Sequence, residues 1–135
     1  MVSSELPVYR DIWEMVSQME AYIRNFPREA KFSHGLKLRD EGAEIIKNIC
    51  MANNCTNDHL RRARYIEIAL GHYETYKFIK RLCAKHKYMS ESQEAKIDKR
   101  FAIVGQQLMG WKISEENKLP GQNRDGQGHA GGPKF

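Results

Sequence analysis

Acid–base, nucleophilic or metal chemistry needs particular side chains at particular spacings, and this sequence holds few such sets. A di-iron site in a helical bundle draws on Glu-x-x-His pairs, which put both ligands on one helix face. No glutamate here has a histidine three residues on. Cys83-x-x-His86 with Cys50 and Cys55 holds zinc-binding residue types, but a C-x4-C spacing followed by a distant C-x2-H fits no common ligand pattern. His72 lies beside Tyr73 and Tyr76, as a hydrogen-bonded packing residue does. His34 falls at a turn, His59 at a helix start, His86 at a helix end and His129 in a tail. No serine or cysteine stands with them in a nucleophile motif. The glycines near the C-terminus precede no helix, so they form no phosphate loop. The reading is therefore non-enzymatic, with no cofactor and no metal assigned.

Charge is the stronger signal. The 135 residues hold 22 Lys and Arg against 17 Asp and Glu, a formal net charge of +5. The excess is uneven. Residues 1–24 carry a net −2 and residues 114–135 a net zero, while residues 58–87 carry eight basic groups against Asp58, Glu67 and Glu74. Such a segment suits a polyanionic partner; the plainer alternative is a solvated helix face.

Four amphipathic patterns position these residues, and no strand pattern occurs. In the first, Val8, Ile12, Met15, Met19, Tyr22 and Phe26 form one seam. Pro7 suits its first turn and Pro27 its end. The second runs from about His34 to Met51, with Leu38, Gly42, Ile45 and Ile49 on one stripe, widened by Leu36, Ala43, Ile46 and Cys50. Asn57 or Asp58 then caps the third pattern. That pattern carries Ala63, Ile66, Leu70 and Tyr73 on one stripe, and Tyr65, Ala69, His72, Tyr76, Ile79 and Cys83 on another. Gly71 in its middle suggests a close helix contact. Ser90-Glu91-Ser92-Gln93 fits a capping box. Ile97, Phe101, Val104, Leu108 and Trp111 then repeat at helical spacing, with Gly110 expected to admit a close neighbour.

Four such helices with short connections make an all-α, up-down-up-down four-helix bundle over residues 1–113. Residues 114–135, rich in Gly, Pro, Asn and Gln, read as a flexible tail. In the first crossover, "NFPREAKFSHG" at residues 25–35, Phe26 and Phe32 are expected to anchor onto the bundle end, with Arg28 and Lys31 at the surface. The chain has no run of about eighteen apolar residues and no basic-then-apolar leader. Three cysteines are an odd, sparse set. A reduced cytoplasmic protein, with no membrane span, is expected.

The ordered series "LPVYRD", "FPREAKFSHG", "CMANN", "KFIKRLCAKHK" and "VGQQLMGW" resembles the accessory variability determinant proteins of diversity-generating retroelements. These are similar to a wider group of four-helix-bundle proteins encoded in intervening sequences of bacterial 23S ribosomal RNA genes. The resemblance spans roughly residues 6–113. It implies a non-catalytic protein that assembles as a homopentameric barrel with a basic surface. It also implies binding to the element's reverse transcriptase and template-repeat RNA, in support of mutagenic cDNA synthesis and retrohoming. Carried onto the third helix, it points to Lys77, Lys80, Arg81 and Lys85, with Arg61, Arg62 and Arg64 at that helix's other end. A stand-alone bundle of the intervening-sequence type with a protein partner is the alternative.

Overall fold

The computed structural model describes residues 2–121. Met1 and residues 122–135, most of the expected tail, lie outside the described residues. After a single 3-10 turn at Ser3–Glu5 come α1 (Pro7–Ile23), the one-turn α2 (Arg28–Lys31), α3 (His34–Asn53), α4 (His59–Lys85) and α5 (Glu91–Glu116). The four long helices pack in a ring, each against its chain neighbours, and α5 closes onto α1.

Cross-helix contacts fix the directions. Between α1 and α3, Glu20 meets Arg39, and Ser3 just before α1 meets Asn53. Between α3 and α4, Glu41 meets His72 and Ala52 meets Arg62. Between α4 and α5, His59 meets Glu115 and Lys80 meets Glu94. Asp11 bonds Gln107 and Gln18 bonds Arg100 between α1 and α5. In every pair one residue number rises as the other falls, so all four contacts are antiparallel. This is the expected up-down-up-down bundle.

The core follows the apolar seams. Ile12, Met15, Met19, Leu38, Ile45, Ile49, Ile66, Ile97, Val104 and Leu108 are fully shielded. Each large aliphatic side chain so buried contributes about 1.5–3 kcal/mol. Both helix starts read from sequence are present. The Asp58 carboxylate accepts from the Arg61 amide at 3.1 Å, capping α4. At Ser90 both bonds of the capping box form, at 3.0 and 2.9 Å.

Several expectations change. Helix α1 stops at Ile23, which takes the last seam position, while Tyr22 is only half-buried. Phe26 reaches the core from the following turn, where its amide bonds the Ile23 carbonyl. Pro27 starts α2 rather than ending α1, because its missing N–H falls where a helix start leaves donors unpaired. Phe32 does not anchor the crossover; it is 64% exposed. What seats the crossover is Gly35. A Cβ there would stand 2.9 Å from Ile23 Cγ2 and 3.3 Å from the Ala30 carbonyl oxygen. Helix α5 runs to Glu116 with Glu115 buried, so the bundle extends past the expected boundary at residue 114.

A Cβ added at Gly71 or at Gly110 would meet nothing within 4 Å, so neither glycine marks a close contact. The tight glycine between α4 and α5 is Gly105, whose added Cβ would lie 2.7 Å from the Tyr73 hydroxyl oxygen. That hydroxyl donates to the Phe101 carbonyl at 2.7 Å. Burial, then the nearby Glu74 and Asp98 carboxylates, push the Tyr73 phenol up to about 12. Opposite outcomes are therefore expected for two alanine substitutions. Gly71→Ala raises stability by up to about 1 kcal/mol, through helix propensity alone. Gly105→Ala lowers it by about 1–3 kcal/mol through overpacking, and adding Tyr73→Phe recovers part of the loss. Urea unfolding of these variants checks both signs.

Candidate nucleic-acid interface

The seven basic residues expected on α4 separate into three groups. Lys80 is not at the surface. Its side chain is 2% exposed, with Nζ 2.6 Å from Asp98 Oδ1, 2.9 Å from Glu94 Oε2 and 5.6 Å from the Phe101 ring centre. It lies between α4 and α5 as an internal cation and is removed from the candidate interface. Arg62 is also committed internally. Its Nε donates to the Ala52 carbonyl at 2.9 Å, and Nη1 lies 3.5 Å from the buried Glu115.

Arg61 and Arg64 are exposed near the start of α4. Arg61 borders a hollow with Met51, Asn54 and Tyr65 on the α3 side. Lys77, Arg81 and Lys85 occupy the last third of the helix. Lys77 and Arg81 line the α4–α5 groove beside Glu94, Asp98 and Ala102. At 1.5 Å per residue, Arg61 and Lys77 stand about 24 Å apart along the axis. That exceeds the roughly 8 Å over which exposed charges act at physiological salt. The helix therefore presents two separate basic groups. Lys77 is itself partly occupied, 3.8 Å from Glu74 and 5.5 Å above the Tyr73 ring.

The end of the bundle near Lys85 is richer than α4 alone. The α1–α3 and α4–α5 connections meet there, with Phe26 and Tyr88 rings 5.6 Å apart and His34 and His86 rings 5.9 Å apart. These connections bring Arg24, Arg28, Lys31 and Lys37 to the same end of the bundle as Arg81, Lys85 and Lys87; the acids over residues 24–37 and 81–92 are Glu29 and Glu91, with Glu94 and Asp98 next to Arg81 and with Asp40 and Glu41 next to Lys37. Among the described residues none of these seven cations enters an ion pair. All are exposed except Lys31, which is half-buried. The opposite end carries Arg61, Arg62, Arg64, Lys112 and Lys118 against Glu5, Asp58, Glu115 and Glu116, and three of its cations, Arg62, Lys112 and Lys118, are held in ion pairs. The bundle is thus polarised along its axis, with one strongly basic end. The sequence signal for it was present in Arg28 and Lys31 of the first crossover. Their alignment with Lys85 and Lys87 depends on the antiparallel pairing, which spacing alone does not reveal.

The tyrosines in the middle of α4 do not offer faces to a ligand. Tyr73 and Tyr76 are buried, and Tyr76 stacks on Phe101 at 5.6 Å. His72 Nδ1 lies 2.6 Å from Glu41 Oε1, an interhelical staple between α4 and α3. The cysteines are unpaired, and burial raises the Cys83 thiol to about 11, which suppresses thiolate chemistry. No helix among the described residues is long and apolar enough to cross a membrane. A scan against protein-family models and a search of curated proteins both return no match to this chain.

Proposed function

We propose that this chain is a non-catalytic accessory protein of a diversity-generating retroelement. In this reading it holds the element's reverse transcriptase and template-repeat RNA together through its basic surface, and the polymerase carries out the mutagenic copying. The observation that carries the reading is the basic end: seven cations outside any ion pair among the described residues, on a four-helix scaffold. Unpaired surface cations are available to displace counterions from phosphates, the main source of affinity for nucleic acid.

Assembly into a homopentamer belongs to the same proposal. Phe32, Leu36 and Phe78 are 64%, 45% and 60% exposed and, with Leu82, line a depression of about 630 Å³ between α3 and α4. An apolar face of this kind suits a contact between copies, and a head-to-tail contact that closes makes a ring. The same groove favours the second reading, a stand-alone bundle with a protein partner.

Lys77→Ala with Arg81→Ala tests the α4 contribution. The pair is expected to lower affinity for template-repeat RNA roughly tenfold at low salt. Loss of two phosphate contacts also flattens the salt dependence by about 1.4 log units per log unit of salt. RNA and polymerase affinities both unchanged from the parent protein would contradict the assignment.

A further inference from the structure

At the basic end the core does not finish under a polar cap. A ladder of rings rises from it. Phe26 is 3% exposed, and its ring lies 5.6 Å from that of the half-buried Tyr88. Tyr88 stacks on the exposed His86 at 5.4 Å and 28°. His34 closes the set edge-on, 5.7 Å from Tyr88 and 5.9 Å from His86. The outermost ring, His86, sits between two lysines, Lys85 and Lys87.

The turn that builds this ladder is strained. Lys87 has φ 65°, a left-handed conformation that usually falls to glycine at a helix end. It brings the Lys87 amide to the Ala84 carbonyl and the Tyr88 amide to the Cys83 carbonyl, both at 2.9 Å. A lysine at a position that favours glycine is a fold-level loss, and such losses collect where function needs the side chain.

We propose that this end is a platform for single-stranded RNA, on which an unpaired base stacks against His86 while neighbouring phosphates meet Lys85, Lys87, Arg28 and Lys31. The inference rests on the RNA-binding reading above and adds where the strand sits and which form is recognised. A ring ladder needs bases with free faces, and a duplex keeps its faces covered by stacking. The flanking cations supply the sequence-independent phosphate attraction. Tyr73 and Tyr76 are buried, whereas His86 is the exposed end of the ring ladder and stands between two lysines.

The test uses the full chain and a fluorescein-labelled 20-nucleotide RNA of mixed sequence, offered single-stranded and as a duplex. Single strand is expected to bind more tightly. His86→Ala is expected to weaken single-strand binding roughly tenfold, the scale of one lost base stack, with His86→Phe restoring it. Lys87→Gly relieves the strained turn, so its expected signature is a raised melting temperature with weakened RNA binding. Equal affinity for duplex and single strand would overturn the platform. So would unchanged binding in both His86→Ala and Lys87→Gly when Arg61→Ala with Arg64→Ala reduces it; that pattern leaves the RNA-binding reading standing. No binding by the parent protein at low salt would overturn both.

Discussion

Replacing Glu94 and Asp98 together by alanine is expected to destabilise the bundle by about 3 kcal/mol, while Lys80→Met costs less than about 1 kcal/mol. The asymmetry comes from exposure. Lys80 is 2% exposed, whereas the Glu94 and Asp98 side chains are 32% and 50% exposed. Without the two carboxylates an ammonium is left in the interior with no counter-charge, which is the costly way to break a buried pair. Without the lysine the carboxylates turn to water, and methionine refills the aliphatic volume beside Phe101. Urea unfolding of the two variants measures the difference. At about 3 kcal/mol the acid-to-alanine pair should also melt roughly 10 °C lower. Because Lys80 is internal, Lys80→Met should keep full RNA affinity, in contrast to the Lys77 and Arg81 pair.

Glu115→Ala is expected to cost a further large amount, about 3 kcal/mol, at the opposite end of the molecule. The carboxylate is 2% exposed and ties the last turn of α5 to the first turn of α4. It lies 2.6 Å from His59 Nδ1, 3.1 Å from Lys118 Nζ and 3.5 Å from Arg62 Nη1. Burial alone would raise its pKa. The His59 hydrogen bond outweighs that together with Lys118 and Arg62, so the carboxyl is held below its usual value of 4.5. A lowered folded-state pKa contributes stability that is fully present above the unfolded value and is lost as pH falls through the folded value. The parent protein should therefore lose this contribution only below about pH 4.5. The difference between parent and Glu115→Gln should shrink over the same range. Unfolding free energies at pH 7, 5 and 3.5 test this directly, and a gap that stays constant with pH would contradict it.

What the sequence disclosed, and what it hid, can be traced to single residues. The seam from Ile97 to Leu108 was legible because α5 meets the core on one face. The cap at Ser90 was legible, and the cap of α4 was legible to within one residue, Asn57 or Asp58, because capping needs only neighbours within three residues. Phe26 and Phe32 were indistinguishable by type, and only the turn after Ile23 decides that one is buried and the other exposed. Lys80 was read as a surface cation from its basic neighbours. Its spacing held the correction, since Tyr73, Tyr76, Lys80 and Cys83 step by three, four and three along the buried stripe. Glu115 likewise continues the α5 seam, seven residues beyond Leu108, past the point where apolar types stop. Periodicity places such charged residues inside, but their compensating partners come from another helix and cannot be read from spacing. The basic end was hidden for the same reason. Residues 24–37 and 81–92 are distant in sequence, and only the antiparallel packing adds their charges together.

The most direct measurement is the affinity of the purified full chain for single-stranded RNA over a salt series, with its mass in solution recorded alongside. A basic-end adaptor should show affinity falling steeply with salt, at a slope of about −3.5 if about five phosphates are held, in an assembly of about five chains. A monomer with no RNA binding at low salt would contradict it, and would shift the function to the apolar α3–α4 groove and a protein partner.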